Sequence, residues 1–378
     1  MMRTSTTFGI FLVALATQSA SGLDHVRFQR DGRSHRVAGQ VVVEAQDGGL
    51  LVLDPARVLW AVTPEELQEH RKDDQPFEPL GHKSLQEQLL TELPSGFRAH
   101  KTRHYLICYN TSTVYAEWCG ALFERLYKAF RNYWRQRGLE LTDPDWPLVA
   151  FVFDGKSSYA RYAKTELGEA TSSIIGYYSL RTNRVTTYDL TGADVRTRRL
   201  NSTAQVNRIL SRPQAERTVA TIIHEATHQL AFNCGLQTRY ADIPLWFSEG
   251  IAIYFETPDL RSSKGWRNIG GVNRVRLAEF RRYLRARPAD SLRTLLSQDD
   301  RFRSSRTAPQ AYAEAWALNY FLINTRIEEY TEYLKTLEQK QPLLYDDAHE
   351  RIEQFQRFFG EDLSRLDAQF LRYMRGVR

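Results

Sequence analysis

Cysteine is scarce: Cys108, Cys119 and Cys234 are the only three in 378 residues. That excludes a disulfide scaffold, which needs several bridges to stand in for a core. One pair could still oxidise and leave one thiol free, and the spacing does not choose between Cys108–Cys119 and a pairing with Cys234. The only methionines are Met1, Met2 and Met374. There is no glycine-rich phosphate loop, no nucleotide-cofactor motif, no fixed-period repeat and no low-complexity tract. Long apolar runs are also missing. Phe8 to Ala16 (FGIFLVALA) is the one apolar stretch of note, and it is too short to span a bilayer. No membrane span is therefore expected in the mature chain. The net charge of +6 is mild. Arginines gather at Arg196, Arg198, Arg199 and Arg208, and again at Arg274, Arg276, Arg281, Arg282, Arg285 and Arg287. An anionic partner such as a cell-surface polymer would fit them, but a solvated face accounts for such clusters more simply. No nucleic-acid motif accompanies the charge, so no nucleic-acid partner is expected.

What is present bounds the fold. With 42% hydrophobic residues, the chain has ample material for a core and for more than one domain. Arg3, the apolar run and the small residues Ser19 to Gly22 read as an export leader over 1–22, cleaved after Ala20 or Gly22. A retained anchor is the alternative. Residues 23–63 read as a small all-β module, with strand-like Val26–Phe28, Val41–Glu44 and Leu50–Leu53 and turns at Asp31-Gly32 and Asp47-Gly48-Gly49. A polar linker over 64–100 holds one helix around Ser84–Glu92. From 101 to 256 the pattern turns α/β: strands at His104–Tyr109 and Leu148–Phe153, helices at Val114–Gln136 and Ser157–Glu166, and a hairpin of Ile174–Tyr178 with Arg184–Asp189 turning at Asn183. Residues 257–307 read as loops with one helix near 275–286, and 308–378 as helical. The class is α+β: a β module, a mixed-sheet half, then a helical half over 257–378.

The chemistry-bearing segment is His224-Glu225-Ala226-Thr227-His228. Histidines four apart lie one turn above each other on one helix face, so two imidazole nitrogens can meet one metal ion. Val219, Ile222, Ile223, Ala226, Leu230 and Ala231 make an apolar stripe at helical spacing. Ser211 with Gln214 reads as a capping box, and Gly235 as the stop. The motif therefore falls inside a buried helix, where two histidines and an acid need partners. A catalytic zinc site wants three protein ligands and one open position. Glu249, 21 residues beyond His228 in PLWFSEGIA, is the first candidate for the third ligand. It would lie on a second helix from about 244 to 255, with Asp242 as a possible cap and Gly250 allowing the two helices to approach. Cys234 is the second candidate. It stands where the metzincin pattern places a histidine, but Ala231 replaces that pattern's glycine and no methionine can form its Met-turn. Glu249 is the better choice.

The run from HEATH to LWFSEGIA resembles the gluzincin metallopeptidases, the clan of thermolysin-like enzymes and large aminopeptidases. The longer run HEATHQLAFN…GL…PLWFSEGIAIYFE is also similar to a less characterised group of exported bacterial gluzincin-like proteins. The resemblance is strongest over 216–256 and weaker over 100–326. It implies one Zn²⁺ per chain on His224, His228 and Glu249, and a sheet whose edge strand holds substrate. Ile175–Leu180 or Arg184–Asp189 would be that edge. The match has departures. The aspartate that in those enzymes bonds a metal histidine, four residues after the glutamate ligand, is Ile253 here, so a different group must orient the histidines. His349 is the only histidine after the motif. Tyr312, opening the helical segment QAYAEAWAL, is the candidate oxyanion stabiliser, against the simpler role of a core tyrosine with a bonded hydroxyl.

Together these features predict an exported zinc metallopeptidase acting on a peptide or protein substrate, with Glu225 as general base. Two other functions remain compatible: a non-catalytic zinc-containing binding protein, and a zinc hydrolase of another amide or ester.

Overall fold

A short two-residue turn starts the fold. Asp31 and Gly32 both take positive φ, at 52° and 72°, as a tight hairpin requires. They join β1 (Gly22–Arg30) to β2 (Arg33–Glu44) in a computed structural model that describes residues 22–172, 174–192, 201–257 and 269–378. The apolar run Phe8–Ala16 and Arg196, Arg198 and Arg199 lie outside the described residues. The chain divides between Pro79 and Leu80 into two compact units.

The first unit is one antiparallel sheet in the order β4-β3-β2-β1-β5, completed by β3 (Leu50–Leu53), β4 (Leu59–Val62) and β5 (Leu67–Pro76). Alternate residues of β1 and β2 turn inward, so Val26, Phe28 and Val37 meet Leu50, Val52 and Val62 in a small core. The sequence pattern ends the β module at residue 63 and makes 64–100 a linker. Instead, β5 pairs with β1 along its length. Its sequence, LQEHRKDDQP, is almost wholly polar because the strand lies at the sheet edge and is largely exposed, so no apolar alternation marks it. The rest of the stretch carries α1 (His82–Glu92) and β6 (Arg98–Lys101).

The second unit has a five-stranded mixed sheet, β6-β7-β8-β10-β9. Every residue of β7 (Tyr105–Tyr109) and β8 (Leu148–Phe153) is buried. Such continuous apolar strands belong to parallel sheets covered on both faces, and β7, β8 and β10 (Arg184–Tyr188) are indeed parallel. α2 (Thr113–Arg135) and α3 (Lys156–Leu167) supply part of the cover. β9 (Gly176–Ser179) returns antiparallel at one edge through a turn with Asn183 at φ 60°. The Arg184–Asp189 segment is therefore interior, and only β9 of the two edge candidates lies at the edge.

Helices follow. α4 (Thr203–Leu210) precedes the motif helix α5 (Pro213–Asn233). Ser211 closes α4 rather than capping α5, whose N-cap position is Arg212 with Pro213 following. Pro213 fixes the helical φ at a position whose N–H has no intrahelical partner. α6 (Leu245–Phe255) packs on α5. Then come α7 (Arg274–Tyr283), α8 (Ser291–Ser297), α9 (Asp300–Arg303), α10 (Ala308–Thr325), α11 (Ile327–Glu338), α12 (Ala348–Phe359) and α13 (Leu363–Gly376). The 257–307 stretch thus holds three helices among its described residues, not one. α8 is too short for a clear period, and only Leu292, Leu295 and Leu296 betray its buried face. No helix among the described residues is long and apolar enough to cross a membrane. Cys108, Cys119 and Cys234 are all free and buried.

Two buried charge networks lock the helical half. Glu314 is fully buried on α10 and receives Arg287 Nε and Arg301 Nη2 at 2.7 Å each, while Arg287 also grips Asp367 on α13 at 2.6 Å. Arg351 on α12 bridges Asp242 and Asp299, and Asp299 Oδ1 accepts the Leu245 N–H at the start of α6 (3.0 Å). The helix that carries Glu249 is therefore capped from a distant loop. Asp242, expected as the cap, is spent on Arg351.

Candidate metal centre

α5 and α6 bring three ligand-type atoms to one point. His224 Nε2 and His228 Nε2 are 3.1 Å apart. Glu249 Oε2 is 3.0 Å from His224 Nε2, and Glu249 Oε1 is 3.5 Å from His228 Nε2. Ligands at about 2.0–2.1 Å from a tetrahedral ion are separated by about 3.3 Å. The three observed edges bracket that value, so the residues fit a single metal ion. Among the described residues no other three histidine, cysteine or carboxylate groups converge this way. Two imidazoles and one carboxylate leave a tetrahedral ion one open position.

The surroundings aim these groups. His224 Nδ1 lies 2.8 Å from Glu256 Oε1, which favours a proton on Nδ1 and fixes the ring so that Nε2 faces Glu249 and His228. Glu256 is in turn held by Asn273 Nδ2 at 3.3 Å, and Asn273 Oδ1 caps α7. Glu256 is thus the orienting carboxylate that Ile253 could not provide. It lies seven residues after Glu249, two turns along the same helix face. His228 Nδ1 has a longer contact, 3.5 Å, to Ser248 Oγ, which donates to Gln237 Oε1 at 3.2 Å. Burial alone would raise the Glu249 carboxyl, but the charge and hydrogen bonds of the two imidazoles hold it well below the usual carboxylate range. Burial works against a charged His224, yet Glu249 and Glu256 raise its pKa well above the ordinary value. Replacing Glu256 by alanine should weaken metal binding by about 10–100-fold, as removal of an outer partner does elsewhere. Competition with a fluorescent zinc chelator checks this. Unchanged affinity would remove Glu256 from the orienting role.

Glu225 is not in the triangle of ligands. Its Oε2 accepts the Tyr178 N–H at 2.7 Å, and that N–H points off the open side of β9. The edge strand therefore anchors one carboxylate oxygen. Burial raises the Glu225 pKa despite the nearby histidines. A raised carboxylate pKa suits proton transfer near neutral pH.

Tyr312, on α10, is near enough to feel the charges of Glu249 and Glu225. The charge of Glu249, then burial, then the charge of Glu225 raise its hydroxyl pKa. Its ring rests edge-on against Phe302, with the Arg276 guanidinium 5.6 Å from its centroid. A tyrosine that stays protonated can donate a hydrogen bond.

Other sequence candidates lie elsewhere. Cys234 caps the far end of α5, with Arg131 and Asp143 as its charged surroundings, and burial pushes its thiol up to about 12. It stays protonated and outside the cluster. His349 is on the surface at the start of α12, paired with Glu353 at 3.6 Å.

Gly250 has a different use from the one its position suggested. A Cβ there would stand 2.0 Å from Asn319 Nδ2 and 2.8 Å from Ala315 O. The glycine admits α10, not α5, and Asn319 Nδ2 then bonds Trp246 O at 2.9 Å. Gly250→Ala is expected to cost about 1–3 kcal/mol of stability by overpacking. Urea unfolding of both chains tests it, and an unchanged midpoint would contradict the close approach.

A family described as a protein of unknown function (DUF1570) matches residues 218–344, about a third of the chain. The matched span contains His224, Glu225, His228, Glu249, Glu256 and Tyr312. No curated protein matches the chain.

Proposed function

We propose that this chain is an exported zinc-dependent metallopeptidase of gluzincin type. One observation carries the reading: His224, His228 and Glu249 converge at ligand spacing while a fourth group, Glu225, stands beside them held by an edge strand. A site serving structure alone has no use for that extra carboxylate. The nitrogen and oxygen donor set favours zinc over metals that select thiolates or all-oxygen cages. Bound there, zinc would lower the pKa of a water toward about 7 and polarise a carbonyl.

The chain's own residues supply the remaining steps. Glu225 takes the proton from the attacking water as the carbon–oxygen bond forms, then passes it to the amine as the carbon–nitrogen bond breaks. The Tyr178 N–H keeps its carboxylate turned toward the histidines. Tyr312 donates to the oxygen on which negative charge gathers. β9, the edge strand, offers the outward backbone groups other than the Tyr178 N–H, which Glu225 holds, to an extended peptide by strand addition. Export, through Arg3 and the apolar run Phe8–Ala16, belongs to the same proposal.

Peptidase action is tested by incubating the zinc-loaded full chain with a mixed peptide library and reading fragments by mass spectrometry. The expected result is cleavage that a zinc chelator stops and added zinc restores. A zinc-loaded chain that cuts nothing would refute the peptidase reading. In that case the same assay with amide and ester panels decides whether another bond is the substrate.

A further inference from the structure

We propose that a groove along α2, separate from the metal centre, binds a small polyanion carrying two or more phosphate or sulfate groups. The groove has a volume of about 570 Å³. That is the size range of a small-molecule site. Five cations line it: Arg103, Arg125, Lys128, Arg131 and Arg135.

The carboxylates in its wall are already engaged. Glu124 accepts Thr102 Oγ1 and the His104 N–H at 2.7 Å each, and meets His104 Nδ1 at 2.7 Å. Asp143 is held by Tyr127 and Arg131. Arg131 also donates to Leu141 O at 2.6 Å, which fixes the groove's far wall. Glu140 remains on the exposed rim. Arg103, Arg125, Lys128 and Arg135 meet no carboxylate within ion-pair distance among the described residues. Four cations without an ion pair therefore face the groove, against the carboxylates of Glu124 and the exposed Glu140, which leaves it net positive.

Arg125 is the telling member. It is partly buried, and burial without a counter-charge pulls its guanidinium below the ordinary arginine value. A charge that has lost part of its water and has no partner is costly, so such groups normally gain one. Here the partner is a ligand. Arg125 and Lys128 are one helical turn apart, and Arg135 lies about 10 Å further along the axis than Lys128. That spacing suits anionic groups spread over several atoms rather than a single ion. Guanidinium forks pair with phosphate and sulfate oxygens two at a time, which gives the arginines their selectivity.

Isothermal titration calorimetry on the full chain, in about 0.15 M salt to screen diffuse attraction, tests the site. Inorganic triphosphate is one probe and a trisulfated disaccharide the other, so the two sources of anionic groups are separated. The expected result is saturable binding of at least one probe. Arg125→Gln with Lys128→Gln should weaken it about tenfold or more, the loss expected for charged hydrogen bonds. Arg282→Gln with Arg285→Gln, exposed at the end of α7 and just beyond it, should leave it within about twofold. Failure of both probes to bind would overturn the proposal. So would an equal loss in the α7 variant, which marks diffuse charge and not a site. Melting temperature gives a readout independent of the ligand. Arg125→Gln should melt no lower than the parent, and a large fall would make Arg125 a structural residue instead.

Discussion

Glu225→Gln is expected to leave metal content unchanged and to lower peptide hydrolysis by about 10²–10⁴-fold, the usual contribution of a positioned acid–base group. The substitution keeps shape. Glu225 lies outside the triangle of His224, His228 and Glu249, so no ligand is lost. A glutamine oxygen can still accept the Tyr178 N–H that Glu225 now receives at 2.7 Å. What disappears is the basic oxygen that takes a proton. The check is metal analysis beside kcat/KM on the best library peptide. Zinc and activity falling together would instead make Glu225 part of the metal's own support, and full activity would remove it from the chemistry.

The second large effect belongs to Glu249. Glu249→Ala deletes the only carboxylate in the triangle and leaves two imidazoles 3.1 Å apart. Metal affinity should fall by more than the roughly 10–100-fold expected for an outer partner such as Glu256. Activity should fall with it. The folded chain should survive, because α6 is anchored by Asp299 at its start and by α10 against Gly250. Zinc competition together with circular dichroism separates the two effects. Normal zinc affinity in a folded variant would show that Glu249 is not the third ligand.

Much of the site was readable because helix geometry is local. Four-residue spacing fixes His224 and His228 on one face before any tertiary contact is known. Glu249 could be chosen because it stands in an apolar segment long enough for one helix. Glu256 was missed although the signal was present. An acid two turns beyond Glu249 shares its face, whereas the position four residues on, where thermolysin-like enzymes carry the orienting acid, holds Ile253. Ser248 was harder to foresee, since its contact with His228 depends on how α5 and α6 cross. The fold shows the same division. Buried strands such as Leu148–Phe153 announce themselves by continuous apolar residues. β5 does not, because an exposed edge strand needs no apolar face, and its place is set by its pairing with β1. Arg351 joining Asp242 to Asp299 is invisible along the chain, since more than a hundred residues separate Asp242 from Arg351. The sequence therefore points to Asp242, the neighbour of α6 along the chain, while the cap comes from Asp299.

The central claim is that His224, His228 and Glu249 hold one metal ion. Metal analysis of the purified chain by mass spectrometry tests it most directly, after addition of zinc and removal of the excess, beside His224→Ala and Glu249→Ala. The account predicts one zinc per chain in the parent and a near-complete loss in both variants. A parent without zinc, or variants that retain it in full, would contradict it.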